Sequence, residues 1–187
     1  PEKLHPLWYS VRLPILFWIS AVAGGFAMTI IEATLSSKAF KRGLELVLLQ
    51  DLARYAAVFL YIYVAAKLAD LAARGGLSYL TESSPQAASF WVELAVGALL
   101  PAVLFSVRSL RERPGALFVG ALLVVLFGII LNRLNVSMIG LYPYTGYVYA
   151  PSWMEITVSV TIISFGVLAF GLIAKYFPVF PSEHPAT

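Results

Sequence analysis

Ionisable side chains stand inside long apolar stretches of this sequence, and they are the residues best suited to do chemistry. Glu32 follows a run from Leu13 to Ile31 that contains no charged residue. Asp51 and Arg54 lie three residues apart in the next apolar stretch, a spacing that puts both on one face of a helix. An ionisable group at the centre of a membrane helix costs about 2.5 to 3.5 kcal/mol, so each is a functional candidate.

Two interpretations of Glu32, Asp51 and Arg54 stay open. Antiparallel helices joined by a short loop bring Glu32 and Arg54 to similar depth, so in one interpretation the three side chains form an ion-pair cluster that fastens two helices. In the other, Glu32 belongs to a proton path and is supported by Asp51 and Arg54. A carboxylate connected to one aqueous side of the membrane can take up and release protons, as the second interpretation requires.

A second polar group is predicted near the opposite surface of the membrane. It combines two carboxylates, an arginine, the two asparagines Asn132 and Asn135 and two tryptophans, which fall near the ends of the third, fourth and fifth apolar stretches. One interpretation is an aromatic belt with carboxylates placed favourably at helix N-termini. The alternative is a pocket for a lipid-soluble ligand with a polar aromatic head, such as a quinone. The candidate residues are Trp91, Glu93, Asn132, Arg133, Trp153 and Glu155.

Helices that cross a membrane must position these side chains. Hydrophobic residues make up 60% of the chain, charged residues make up 12%, and the mean hydropathy is +0.83. In a soluble domain about 25% of the residues are charged. Five stretches supply the roughly 20 mostly apolar residues that a helical crossing needs. The sequence therefore predicts an all-α, polytopic membrane bundle in one transmembrane domain, with helices at about 13–35, 44–73, 89–110, 115–134 and 153–176.

Three local features carry further structural expectations. The second stretch also contains Lys67 and Asp70, so it is either tilted or extends beyond the lipid. The third contains Pro101, which is expected to kink it. The loop before the fifth stretch is rich in tyrosine and is expected to fold as a cap at the interface, where amphipathic rings prefer to lie. Its tyrosines are Tyr142, Tyr144, Tyr147 and Tyr149.

The distribution of lysine and arginine predicts the orientation. Seven of these residues fall on the side of the loop after the first helix, and five, more dispersed, fall on the other side. By the positive-inside rule the first set faces the cytoplasm, which places the C-terminus on the inner side of a cytoplasmic membrane. The net charge of +3 is too small and too scattered to indicate nucleic-acid binding. The seven residues are Lys38, Lys41, Arg42, Arg108, Arg111, Arg113 and Lys175.

Two residue types limit the cofactor chemistry. The chain has no cysteine, so it offers no thiolate for zinc or for an iron–sulfur cluster. Its two histidines, His5 and His184, lie outside the apolar stretches, whereas a membrane b-type haem normally needs two histidines within the spans. We therefore expect neither haem nor an iron–sulfur cluster in this chain. Motifs of serine hydrolases, P-loop proteins and zinc proteases are also missing from the sequence.

Several runs of the sequence carry a family resemblance. The run PLWYSVRLPILFWISAVAGGFAMTIIEATLSS is followed by VVLFGIILNRLNV, by YVYAPSWMEITVSV and by AKYFPVF. Together they resemble the C-terminal half of the NrfD, or polysulphide-reductase-type, family of membrane subunits. Within that family they are most similar to the HybB type, the membrane subunit of uptake nickel–iron hydrogenases. The likeness covers about Leu4 to Phe180, and LNRLNV and PSWMEI are its more specific motifs.

The resemblance implies a cofactor-free membrane subunit that exchanges electrons between an iron–sulfur partner and the quinone or menaquinone pool. In hydrogenase-linked members, hydrogen oxidation by the large and small hydrogenase subunits feeds a ferredoxin-like subunit on the outer surface. Quinone chemistry at the outer polar group and proton movement through the inner carboxylate Glu32 would then be joined. Family members are about twice as long, so we expect this chain to be roughly the second half of a longer protein.

Three alternatives to this function stay open. Within the family, the partner would be a multihaem cytochrome or a molybdopterin enzyme, with electrons flowing out of quinol. In a different class, the chain would be a passive anchor that only docks a redox complex to the membrane. A transporter is less favoured, because the sequence shows no pair of interrupted helices.

Overall fold

The computed structural model describes residues 4–41, 43–141 and 151–176. Five helices are long and apolar enough to cross a membrane, and the described residues contain no strand. The predicted all-α class with five crossings is therefore confirmed. The crossing helices are α1 (Leu13–Ala39), α2 (Leu46–Ala73), α3 (Pro85–Ser106), α4 (Pro114–Ile139) and α5 (Trp153–Tyr176).

Contacts between residues divide the chain into two compact units, Pro1–Val148 and Tyr149–Thr187. The first unit contains α1 to α4, and the second contains α5, which is described here by itself. The tyrosine-rich loop that we expect to cap the interface falls outside the described residues, as does Arg42. The folded cap and the single transmembrane domain stay predictions.

The helix α3 begins at Pro85, four residues before the predicted start at about residue 89, because Ser84 and Pro85 provide a helix N-cap and first turn. The Ser84 hydroxyl accepts a hydrogen bond from the Ala87 amide at 3.1 Å, and proline suits the first helical position. The helix ends at Ser106, earlier than predicted. Glu93 consequently lies in the third turn of α3, one turn further from the helix start than a start at residue 89 implies.

Both α3 and α4 contain π-helical turns, which are frequent at functional sites. In α3 the segment Ala95–Leu99 lies just before Pro101, whose nitrogen has no hydrogen to donate to the carbonyl four residues back. In α4 the segments are Val124–Ile130 and Asn135–Ile139, and the second carries the helix past its predicted end. The proline is thus accommodated beside a local change of helix type.

Two glycines let the backbones of α3 and α4 touch where these π segments meet. A Cβ atom built on Gly128 would lie 2.5 Å from the carbonyl oxygen of Gly97, and one built on Gly97 would collide with the backbone of Phe127 and Gly128. Glu93 lies four residues before Gly97, and Asn132 lies four residues after Gly128. Because the helices run in opposite directions, both polar residues stand one turn from the crossing, on the same side of it.

The segment before α1 folds over one end of this four-helix unit. The His5 amide donates a hydrogen bond to the carbonyl of Gly140 at 2.8 Å, beyond the end of α4. The Arg74 guanidinium, beyond the end of α2, donates to the carbonyl of Pro6 at 2.9 Å. We call this end, where α1 and α3 begin and α2 and α4 end, the Arg74 end.

Candidate functional site

The centre of the four-helix unit is a buried ion pair between α2 and α3. The ammonium of Lys67 contacts the carboxylate of Glu93, whose side chain is 0% exposed. The Lys67 ammonium also lies 4.8 Å from the centre of the Phe90 ring, so an aromatic face covers it. A charge that is buried this deeply is tolerated only when it is paired and hydrogen-bonded.

Four neutral groups complete the hydrogen bonding of the Glu93 carboxylate. Its Oε1 atom accepts from the Tyr63 hydroxyl at 2.9 Å and from the Asn132 amide at 2.7 Å. Its Oε2 atom accepts from the Asn135 amide at 2.8 Å and from the Trp8 indole at 3.2 Å. With Lys67, five donors from α2, α4 and the N-terminal segment surround one carboxylate on α3.

A second layer of contacts holds these donors in place. The Ser89 hydroxyl donates to the side-chain oxygen of Asn135 at 2.6 Å, which turns the Asn135 amide group towards Glu93. The Lys67 ammonium donates to the Tyr63 hydroxyl at 3.0 Å, one helical turn away. The polar centre is therefore a connected network in which each member has a partner.

A second charged group links this centre to the Arg74 end. Arg74 contacts the carboxylate of Asp70 through two nitrogens at 2.9 Å. Arg12, just before α1, lies 3.6 Å from the other oxygen of the same carboxylate. The Asp70 side chain is only 7% exposed, while the Arg12 side chain is 65% exposed. Charge thus continues from the buried centre towards the surface.

A pocket lies between the ion pair and this second group. The pocket has an inner cavity volume of about 10 Å³, and a volume of about 310 Å³ when the open space at its mouth is counted. That inner space suffices for one water molecule. Apolar residues of α1 and of the N-terminal segment form one wall, and polar residues of α2 and α4 form the other. The polar wall consists of Tyr63, Lys67, Asp70, Arg74 and Asn132.

Arg133 lies beside this pocket and is held by Phe17, which lines it. The centre of the guanidinium lies 3.5 Å from the centre of the Phe17 ring. One guanidinium nitrogen, Nη2, lies 3.5 Å from the Phe17 carbonyl oxygen, at the limit of a hydrogen bond. The other, Nη1, is buried and has no hydrogen-bond partner among the described residues. An unused buried donor next to a pocket is suited to a ligand oxygen.

The structure brings some of the predicted outer residues together. Glu93 and Asn132 are in direct contact, and Arg133 follows Asn132 in α4. The Trp91 indole donates to the carbonyl of Leu80 at 3.2 Å, and its side chain is largely exposed rather than part of the buried network. Its placement fits the aromatic-belt interpretation.

Trp153 and Glu155 open α5 in the second unit. The Glu155 amide lies 3.4 Å from the Ser152 hydroxyl, the spacing of a helix N-cap, and Glu155 is an acidic residue in the first turn. These contacts favour the helix-capping interpretation for Glu155. Membership of these two residues in one pocket with Glu93 stays a prediction.

The inner group is only partly assembled. Asp51 and Arg54 form the expected ion pair at 3.0 Å, on an exposed part of α2. Glu32 lies on the outward face of α1, while its neighbours Ile31 and Thr34 face the core, and it makes no ion pair within 4.0 Å among the described residues. The predicted three-residue cluster is therefore not formed, because Glu32 points away from the core and Arg54 pairs within its own helix.

Sequence reasoning did not identify Tyr63, Lys67, Asp70 and Trp8 as site residues. It considered Lys67 and Asp70 only as charges that make the second stretch tilted or extended beyond the lipid. The sequence did contain a signal. Tyr63, Lys67, Asp70 and Arg74 follow one another at spacings of four, three and four residues, which places them on one face of a helix. A polar stripe on a membrane helix indicates a face that is turned towards protein or water.

The fold and this centre define an integral, multi-pass membrane protein with a buried charged network between its helices. The family model described as polysulphide reductase, NrfD, matches residues 3–142, and the chain belongs to this family. The expected family resemblance is therefore confirmed.

Three curated relatives extend the comparison. The chain is 32% identical over 195 residues to a protein of Nitratidesulfovibrio vulgaris (strain Hildenborough), covering 99% of this chain and 49% of the relative. It is 29% identical to the probable Ni/Fe-hydrogenase 2 b-type cytochrome subunit of Escherichia coli (strain K12), covering 96% of this chain and 46% of the relative.

The third relative is the menaquinone reductase, integral membrane subunit, of the same Nitratidesulfovibrio strain. It is 30% identical over 185 residues, covering 90% of this chain and 44% of the relative. The chain thus spans about half the length of the curated relatives it matches. No solved structure matches it significantly.

Proposed function

We propose that this chain is part of a quinone-reactive membrane subunit of a respiratory oxidoreductase. The subunit passes electrons between an iron–sulfur partner subunit and the quinone or menaquinone pool. The observation that carries the proposal is the buried Lys67–Glu93 centre beside a half-apolar pocket, in a family one of whose members is named as a menaquinone reductase subunit. Reduction of a quinone takes up two electrons and two protons, so it needs donors of hydrogen bonds and protons at the ring oxygens.

The pocket lining and the adjacent Arg133 supply both kinds of contact that a quinone head needs. Phe17 offers an aromatic face, and Arg133 offers the buried Nη1 atom that has no partner among the described residues. Asn132 and Lys67 lie on the polar wall. The inner space admits one water only, so the head binds at the mouth, or the Trp8–Leu13 segment moves to admit it. The proposed quinone region also includes the other residues that were predicted from the sequence, Trp91, Trp153 and Glu155.

The electrons come from a partner, because the proposal places neither haem nor an iron–sulfur cluster in this chain. The preferred source is hydrogen oxidation by the large and small subunits of a nickel–iron hydrogenase, through a ferredoxin-like subunit; one relative is named as a hydrogenase subunit. A multihaem cytochrome or a molybdopterin enzyme with reverse electron flow is the second candidate. We place the protein in the cytoplasmic membrane with its C-terminus inside.

Proton translocation is a separate part of the proposal. Glu32, with Asp51 and Arg54, would connect the quinone reaction to the other side of the membrane. In proteoliposomes that contain the intact complex, Glu32→Gln should leave quinone reduction in place and abolish proton translocation. Normal proton translocation by this variant would contradict the role of Glu32.

The quinone site is tested by Arg133→Gln in the intact complex that contains the full-length subunit. We expect the reduction of a soluble menaquinone analogue to fall on the order of a hundredfold, as when one oriented donor is lost, while the partner subunit is reduced normally. Glu112→Gln is the control, because it breaks an exposed ion pair with Arg108 outside the crossing helices. An unchanged rate in Arg133→Gln would overturn the site, and a wild-type complex that reduces no quinone would favour a passive anchor.

A further inference from the structure

We propose that Lys67 is a proton-donating residue that is resupplied from the aqueous phase at the Arg74 end through Asp70. The inference rests on the proposed quinone chemistry, which gives the proton its destination. It adds a route and a direction to that chemistry. It differs from the path through Glu32, because Glu32 lies on the outward face of α1.

The route follows one face of α2. This face carries Tyr63, Lys67, Asp70 and Arg74. At 1.5 Å per residue, the distance along the helix from Tyr63 to Arg74 is about 16 Å. Exposure of the side chains rises steadily in this direction. It is 0% for Glu93, 7% for Lys67 and Asp70, 25% for Arg74 and 65% for Arg12.

The pocket joins the two charged groups. Lys67 and Asp70 both line it, and its inner space has room for one water, which is enough to bridge an ammonium and a carboxylate. The elements around it contribute few other charges. Lys67 is surrounded by titratable and charged groups from α2, α3, α4 and the N-terminal segment. These groups are Tyr63, Asp70, Arg74, Glu93, Arg133 and Arg12.

The environment of Glu93 explains how Lys67 can release a proton. When the ammonium becomes a neutral amine, Glu93 loses its counter-charge but keeps four neutral donors, from Tyr63, Asn132, Asn135 and Trp8. These hydrogen bonds stabilise the carboxylate during the interval before Lys67 is protonated again.

The proton balance is simple. A reduced quinone oxygen at the pocket takes one proton from the Lys67 ammonium, so one N–H bond breaks and one O–H bond forms. The pocket water protonates the amine and takes a proton from the Asp70 carboxyl group, which has received it from the aqueous phase at the Arg74 end. The electrons come from the partner subunit, and one aqueous proton ends on the quinone. Arg74 and Arg12 stay protonated throughout and orient Asp70.

Lys67→Arg in the intact complex tests the proposal directly. Arginine keeps the positive charge beside Glu93 but does not give up its proton in proteins. We expect the partner subunit to be reduced normally and turnover of the menaquinone analogue to fall on the order of a hundredfold, the usual effect of losing a proton donor. Turnover equal to wild type would overturn the role of Lys67, while the quinone reaction itself would still stand.

Asp70→Asn provides a second test if Lys67→Arg does not assemble. We expect the turnover of this variant to fall on the order of tenfold and its solvent deuterium isotope effect to be larger than that of the wild type. Addition of a small weak acid should restore the turnover, because the acid can deliver the proton in place of Asp70. Glu112→Gln is the matched control, because Arg108–Glu112 and Asp70–Arg74 are both ion pairs between residues four apart. Wild-type turnover and isotope effect in Asp70→Asn would overturn the route. A wild-type complex without quinone turnover would instead remove the proposed function and, with it, this inference.

Discussion

Lys67 and Glu93 form an ion pair that is buried between two membrane-crossing helices, and the Glu93 side chain has no exposed surface. Removing two charges from water costs several kcal/mol per ion, so such a pair is a poor device for stability alone. Here the carboxylate is satisfied by five donors, and the pair adjoins a pocket with room for a water. Its surroundings indicate that the Glu93 carboxylate stays charged within the membrane.

Removing one member of the pair should be strongly destabilising. Lys67→Met leaves the Glu93 carboxylate buried without a counter-charge, and we expect a loss of about 3 to 5 kcal/mol. The double variant Lys67→Met with Glu93→Gln should recover part of that loss. The free energy of unfolding of the purified subunit complex in detergent gives the measurement. A loss no larger than in Glu112→Gln would contradict this view of the centre.

The glycine contact should control the geometry of the site from a distance of one helical turn. Gly128→Ala places a methyl group against the carbonyl of Gly97, so α3 and α4 must separate. Asn132 should then lose contact with Glu93, which lowers both thermal stability and quinone turnover. Gly25→Ala is the control, because a Cβ atom there meets nothing within 4 Å. Equal behaviour of the two variants would show that the close approach is not needed.

The N-terminal segment should depend on pH through His5, which lies outside the crossing helices. Burial lowers the pKa of His5 below about 6.5, and Glu82 opposes that shift only in part. Nδ1 of this ring accepts a hydrogen bond from the Leu7 amide at 3.3 Å, which requires the neutral form. The unfolded segment therefore binds more protons, so stability is fully present above about pH 6.5 and is lost as the pH falls through the lowered pKa.

Hydrogen exchange of the amides between Leu4 and Arg12 measures this effect in the intact complex. Exchange corrected for its intrinsic pH dependence should accelerate as the pH falls. His5→Gln, which cannot titrate, should remove the acceleration. If the variant and the wild type respond alike, another group is responsible.

Trp8 should contribute to the centre through its indole N–H as well as through packing. Trp8→Phe keeps an aromatic ring but removes the donor to Glu93, and a hydrogen bond to a charged group contributes about 1.5 to 3 kcal/mol. We expect a loss of that size in the free energy of unfolding. Trp18→Phe, at an exposed position of α1, is the control and should have little effect.

Much of the architecture could be predicted because it depends on properties that act locally. Long apolar runs identified all five crossings, since a helix in lipid satisfies its backbone within its own segment. The i,i+3 spacing identified the Asp51–Arg54 pair. Helix ends were less accurate, because the start of α3 depends on the Ser84 cap and the end of α4 on a π-helical segment.

The candidate site was predicted only in part. Glu93 and Asn132 were placed in one polar group, but Lys67, Tyr63 and Trp8 were not, since they come from α2 and from the segment before α1. One of the two interpretations of Glu32 placed it in an ion-pair cluster with Arg54, whereas Arg54 pairs with Asp51. Similar depth in a membrane fixes only one coordinate, whereas the rotation of each helix about its own axis decides which side chains meet.

By itself the sequence determined the class of this protein: an all-α chain with five membrane crossings, the family to which it belongs, and a small number of charges inside apolar segments. These follow from composition, from segment length and from motifs that are continuous in the chain. Only the tertiary structure decided that Lys67 is the ion-pair partner of Glu93, and that Glu32 faces outward. The reason is that the rotation of each helix about its own axis is set by contacts between segments, such as the close approach of Gly97 to Gly128, and no single segment contains that information.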